Sequence, residues 1–163
     1  FEAIRAVRAL AEADGPAALL TAALLLRLQY GSGQAACSNK DSSTPRVPEQ
    51  AAATLARLES VCHWFTAESF AELHPAEQAS IVLLRLLELK QFDKESMRPA
   101  LGGSSLFALR SKLPPIIIRP EMQSAYRAAV DEGSRMNTKP MVDLIAEALV
   151  RTVREIVEKT GGK

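Results

Sequence analysis

Apolar residues recur at helical spacing along almost the whole chain, and no stretch alternates with the two-residue period of a strand. Phe1, Ile4, Val7 and Ala11, with Ala3 and Leu10 beside them, mark one side of a helix from Phe1 to Ala13 that Asp14-Gly15-Pro16 ends. Pro16 suits the first turn of a second helix, Ala17 to Tyr30, apolar nearly all round up to Leu28 and so expected to be central. Residues 31–47 have low propensity for either regular structure and read as a flexible loop within one domain. Pro48 opens a third helix to about Phe65, with Leu55, Leu58, Val61, Cys62 and Phe65 inward. Thr66 to Leu73 reads as a turn or short helix.

The strongest stripe follows. His74-Pro75 starts a helix to Leu89 that carries Ala79, Val82, Leu83, Leu86 and Leu87, the best candidate for the core. Pro75 suits the first helical position and Glu77 the positive helix end, so His74 reads as a helix-entry residue. After a polar loop at 90–98, a shorter helix runs from Arg98-Pro99 to about Ser111, its Gly102 and Gly103 implying close packing. Leu113-Pro114-Pro115-Ile116-Ile117-Ile118 cannot continue that helix and is expected to be extended and buried. Pro120 starts a helix to about Glu132 with Tyr126, Ala129 and Val130 inward, capped by Gly133. A last helix, capped by Asn137 or Thr138, carries a stripe of Met141, Leu144, Ile145, Ala148, Leu149, Val153 and Ile156, and the chain frays from Lys159 to Lys163. The pattern predicts one all-α domain over residues 1–163, six to eight helices around a central apolar helix.

Composition excludes several classes. A net charge of +1 gives no footprint for nucleic acid, and 5% aromatic content leaves no stacking platform for single strands. The longest apolar run, Ala17 to Leu26 broken by Thr21, is too short to span a bilayer. Cys37 and Cys62 lack metal spacing and read as free thiols of a reducing compartment, which predicts an intracellular protein, cytoplasmic or nuclear. His63 has no second ligand near it in sequence and reads as a surface or packed residue.

Three pieces carry a resemblance. They are HPAEQASIVLLRLLEL, the loop KQFDKESMR that ends at Arg98, and LPPIIIRPEMQSAYRAAVDEGSRMNTKPMVDLIAEAL. In order and spacing they resemble the Fic/Doc (Fido) family of AMP- and phosphate-transferring proteins, with a core at about 48–149. The family carries HPFx(D/E)GNGR where this chain has residues 90–98. Phe92 and Arg98 match. Lys90 stands where the resemblance places a catalytic His, Gln91 replaces a Pro, and Lys94 stands in place of an acidic metal ligand. Glu95, Ser96 and Met97 replace Gly-Asn-Gly, and Leu101 replaces a second Arg.

These departures have chemical consequences. A His base works because its pKa lies near neutrality, whereas Lys starts near about 10.4 and needs a drop of roughly 3 units, on the order of 4 kcal/mol, to act as one. Lys94 cannot ligate Mg²⁺, which takes oxygen. Met97 cannot adopt the backbone of a Gly cheaply, Glu95 would face a triphosphate, and Pro99 deletes an N–H from the helix start. Arg98 alone is a weak nucleotide site whose plainer role is a helix-start ion pair or cap. The family's target-docking β-hairpin flap has no counterpart in residues 31–47, where Thr44 to Pro48 is the one extended candidate, and no (S/T)xxxE(G/N) inhibitory helix is present.

The expectation is therefore a catalytically inactive Fido-like domain with no cofactor, no metal site and no catalytic residue, serving as a protein-binding or scaffold module without nucleic-acid or membrane partners. The alternative is a divergent Fic-type nucleotidyltransferase or phosphotransferase that uses ATP and Mg²⁺ with Lys90, Asp93, Glu95 and Arg98. A third reading is a plain helical interaction domain unrelated to the family.

Overall fold

A computed structural model describes residues 2–14, 19–30, 48–89 and 97–161. The described residues form eight α-helices and no strand: α1 (Glu2–Asp14), α2 (Ala22–Tyr30), α3 (Pro48–Trp64), α4 (Glu68–Ala71), α5 (Pro75–Glu88), α6 (Met97–Arg110), α7 (Gln123–Ser134) and α8 (Lys139–Thr160). A 3-10 turn at Pro120–Met122 leads into α7. The all-α expectation holds.

The centre is the α5–α6 pair. α1 and α2 cover α6, while α7 and α8 form a hairpin that covers α5. Helix α5 is central because Ala76, Ala79, Val82, Leu83, Leu84 and Leu86 are all buried. Its start is fixed as the sequence implies. Ala76 N–H donates to His74 Nδ1 at 3.2 Å, and His74 N–H donates to Glu77 Oε2 at 3.0 Å, so two helix-end donors find side-chain partners. α6 pairs closely with its neighbours through small buried residues, Ala100, Gly102, Gly103, Ser104 and Ser105. A Cβ on Gly102 would lie 2.9 Å from a methyl of Leu28 in α2, which is why this helix tolerates a poor helix former there.

Several expected details change. Helix α2 begins at Ala22, not Ala17, because Thr21 is its cap: its Oγ1 accepts from Leu24 N–H at 3.2 Å. Leu19, ahead of that cap, is exposed, and α2 buries Leu25 and Leu28 but turns Arg27 outward. Leu55 of α3 is exposed rather than inward. Gly133 does not cap α7. It is buried within the helix, and the chain turns instead through Met136 at φ 67°. There Met136 N–H donates to Gly133 O and Asn137 N–H donates to Glu132 O, the paired bonds of a Schellman ending. α6 ends the same way through Lys112 at φ 60°, with Leu113 N–H donating to Ala108 O at 3.0 Å.

The segment 113–119 has no regular secondary structure, as the two prolines lead one to expect, but only Ile116 in it is buried, and Ile117 is exposed. The two prolines have no N–H to place, and the next donor, Ile116 N–H, is taken by buried Ser105 Oγ at 3.1 Å. Arg119 then pairs with Glu155 of α8 at 2.6 Å. The stripe of α8 is buried only from Met141 to Thr152. Val153 and Ile156, expected in the core, are exposed, and the helix runs on through Lys159 and Thr160 rather than fraying there. The reason is length: 22 residues rise about 33 Å, against about 21 Å for the 14 residues of α5, so the last turns of α8 overhang their support.

Candidate functional site

Two places on the molecule could carry function. The first is the junction of α5 and α6. Lys90, Phe92, Lys94, Glu95 and Ser96, with Gln91 and Asp93, lie outside the described residues, as does the whole of the 31–47 segment. What the structure places is the frame. α5 ends at Glu88 with Leu89 as its C-cap, and α6 starts at Met97. The sequence between helices therefore leaves the C-terminal end of one central helix and returns at the N-terminal end of the other. Such a start is electropositive and carries free N–H donors, the ordinary setting for a phosphate.

At this start Met97 is half-buried, Arg98 is the second helical residue, and Pro99 and Ala100 are buried. Pro99 removes one donor from the first four residues, whose N–H groups have no partner within the helix. On the α5 side, Glu88 is engaged by Arg85 at 2.9 Å. Among the described residues no group of three or more His, Cys, Asp or Glu side chains converges as for a metal ion. His63 is exposed, and His74 is occupied in the α5 cap.

Tyr126 of α7, one of the residues behind the family resemblance, is buried, and burial pushes its phenol up from the ordinary value. Cys62 is a free, buried thiol on α3. Burial first, and the nearby Glu59 carboxylate second, push it up to about 11, so it is an inert core thiol at neutral pH. Phe65 just after α3, Phe70 of α4 and Phe107 of α6 pack edge-on or tilted at centroid distances of 5.3–6.1 Å.

The second place was not foreseen. A groove of about 690 Å³ opens between α1 and the overhanging end of α8, floored by the C-terminal end of α6 and Leu113-Pro114-Pro115. Its walls include Ile4, Leu109, Val153, Ile156 and Val157, and Arg8, Glu12, Arg110 and Lys112 also line it. It lies at the far end of α6 from Met97, about 20 Å along the helix axis, so it is separate from the α5–α6 junction. The length of the apolar stripe on α8, longer than any helix able to cover it, is the signal that could have revealed it.

No known family model matches the chain. In sequence the chain is similar to protein adenylyltransferase fic-1 of Caenorhabditis briggsae, 28% identical over 104 residues, which is 64% of this chain and 20% of that protein. It is likewise similar to protein adenylyltransferase fic-1 of Caenorhabditis elegans, 27% identical over 104 residues, 64% of this chain and 20% of that one. Protein adenylyltransferase Fic of Drosophila virilis is 25% identical over 109 residues, 67% of this chain and 22% of that one. The matched stretches thus span about a fifth of the length of these curated relatives. In fold it is similar to Fic-1 (residues 134–508) from C. elegans, with a TM-score of 0.72, 19% identity, and coverage of 98% of this chain and 51% of that one. The fold is therefore not that of a plain up-and-down helical bundle.

Proposed function

On the premise that the chain has the Fic/Doc (Fido) fold and sequence likeness to Fic adenylyltransferases, we propose that it is a Fic-type domain that no longer transfers AMP and serves as a protein-binding module. The observation that carries this reading is the contrast between frame and loop. The two helices that flank residues 90–96 are in place, yet the residues between them lack the chemistry that the frame would support.

Transfer of AMP to a hydroxyl needs a group to take the hydroxyl's proton, a metal to neutralise the phosphates, and donors to cradle them. Lys90 is protonated at neutral pH unless its environment lowers its pKa by roughly 3 units. Lys94 is a cation where a metal would need a carboxylate. Glu95 is an anion where phosphate would sit, and Pro99 is a missing donor in the first turn of α6. For Lys90 the simpler role is that of a cation following the negative C-terminal end of α5, worth about 0.3–1 kcal/mol.

The names of the relatives favour a second reading, a divergent transferase that uses Lys90, Asp93, Glu95 and Arg98 with ATP and Mg²⁺. One experiment separates the two. The native chain and a variant carrying Lys90→His, Lys94→Asp, Glu95→Gly, Ser96→Asn and Met97→Gly are incubated with labelled ATP and Mg²⁺, alongside calorimetry with ATP. The native chain is expected to stay unlabelled and to bind ATP more weakly than a Kd of about 10 μM, roughly 7 kcal/mol. The repaired chain is expected to label itself weakly at most. Strong labelling by the native chain that is lost in Lys90→Ala would overturn the inactive reading and establish the second.

A further inference from the structure

We infer that the groove between α1 and the end of α8 is a docking site for an acidic amphipathic helix of a partner protein. This gives the protein-binding reading above a surface and a partner chemistry, and it does not depend on whether the 90–98 loop transfers AMP.

Three observations carry it. The first is apolar exposure concentrated where it is costly. Ile156 is 49% and Val157 59% exposed, and with Val153 they line the groove. Val150 extends the same apolar surface one turn back along α8, beyond the groove itself. An apolar face that spans about two helical turns is wider than a small molecule covers and matches a helix that presents side chains at i, i+3 or i+4, and i+7. No strand edge exists among the described residues, so an extended segment would find no main-chain partners there.

The second observation is charge. Three cations and one carboxylate line the groove, and the carboxylate, Glu12, is already bound by Arg8 at 2.7 Å. Arg110 and Lys112 have no carboxylate partner among the described residues. Arg110 lies over the Phe107 ring at 5.1 Å, and its partial burial lowers its pKa, so it is partly dehydrated with no anion beside it among the described residues. An incoming carboxylate would relieve that state, whereas a basic or neutral helix would not.

The third is rigidity. The floor is set by the Schellman ending of α6, two prolines and the buried Ser105–Ile116 bond. The groove exists before any partner arrives, so little binding energy is spent on ordering it.

The test uses a fluorescein-labelled 14-residue peptide with Leu at i, i+3, i+7 and i+10 and Glu and Ala elsewhere, and its counterpart with Lys for Glu. The Glu peptide is expected to bind saturably, at least about tenfold tighter than the Lys peptide. Ile156→Asp, at a half-exposed position, should weaken it by about tenfold or more, with thermal melts checking that the variant is folded. Arg110→Glu combined with Lys112→Glu should reverse the preference between the two peptides. No saturable binding of the Glu peptide below about 1 mM, or equal binding of both peptides, would overturn the assignment. So would concentration-dependent self-association in the ultracentrifuge that Ile156→Asp abolishes while the Glu peptide stays unbound, because the groove would then belong to a second copy of the chain.

Discussion

Gly133 of α7 lies so close to Leu84 of α5 that a methyl group on it would overlap both Leu84 methyls and crowd its Cγ. Turning the end of the Leu84 side chain moves the methyls but leaves Cγ crowded at 3.2 Å, and Leu84 is buried, so its methyls must displace other core atoms. Gly133→Ala should therefore destabilise the chain by about 1 kcal/mol, overpacking outweighing the gain of up to about 1 kcal/mol in helix propensity. In the Leu84→Ala background the same change should become neutral or stabilising. A double-mutant cycle by urea denaturation measures the difference, and a coupling near zero would mean that the two helices are further apart than described.

Leu86 is fully buried in α5 and faces Gly103 of α6. Leu86→Ala should cost about 2–5 kcal/mol, the range for a buried leucine whose surroundings collapse only partly. A loss below about 1 kcal/mol would show that the α5–α6 contact is not the centre of the core.

Among the described residues two with side chains occupy left-handed backbone positions, Lys112 and Met136, and both follow helices that end in Schellman motifs. Met136 is 75% exposed and has little packing to lose. Met136→Gly should raise stability by up to about 1 kcal/mol, relief of the left-handed strain exceeding the added freedom of the unfolded chain. A lower melting temperature in this variant would count against the turn.

The Cys62 thiol holds its proton up to about pH 11 in the folded chain, whereas unfolding returns it to an ordinary value near 9. Its pKa is raised by folding, so the stability it contributes is complete below about pH 8.5 and is lost as pH rises through 9 to 11. Denaturation midpoints measured across that range should fall more steeply for the native chain than for Cys62→Ala. At neutral pH the thiol should react with iodoacetamide only as fast as the protein unfolds.

Much of the architecture was legible because local and tertiary signals agree. His74-Pro75 with Glu77 marks the start of α5, and its apolar stripe faces inward as spaced. Where signals conflict, the reading failed. The run Ala17 to Leu26 is apolar on both sides of Thr21, so Thr21 read as an interruption when it is the cap of α2. Gly133 follows a helix and reads as its cap, yet its small size serves the packing of α7 on α5. Periodicity says which face of α8 is apolar, but not how far a neighbouring helix reaches to cover it. The candidate transferase loop was legible only as a correspondence of residue types, while the groove depends on how α1, α6 and α8 meet.

The connection between α6 and α7 has one further effect. Two consecutive prolines hold their backbone near a single extended shape, and the residues on either side are fastened, Leu113 to Ala108 and Ile116 to Ser105. The tether to the α7–α8 hairpin therefore has almost no slack. The hairpin cannot slide by a helical turn along α5 without breaking one of those fastenings, so the meeting of Gly133 with Leu84 is a matter of measured chain length as well as of shape. Lengthening the tether by one residue, with every packed side chain untouched, would free the hairpin to search for other registers.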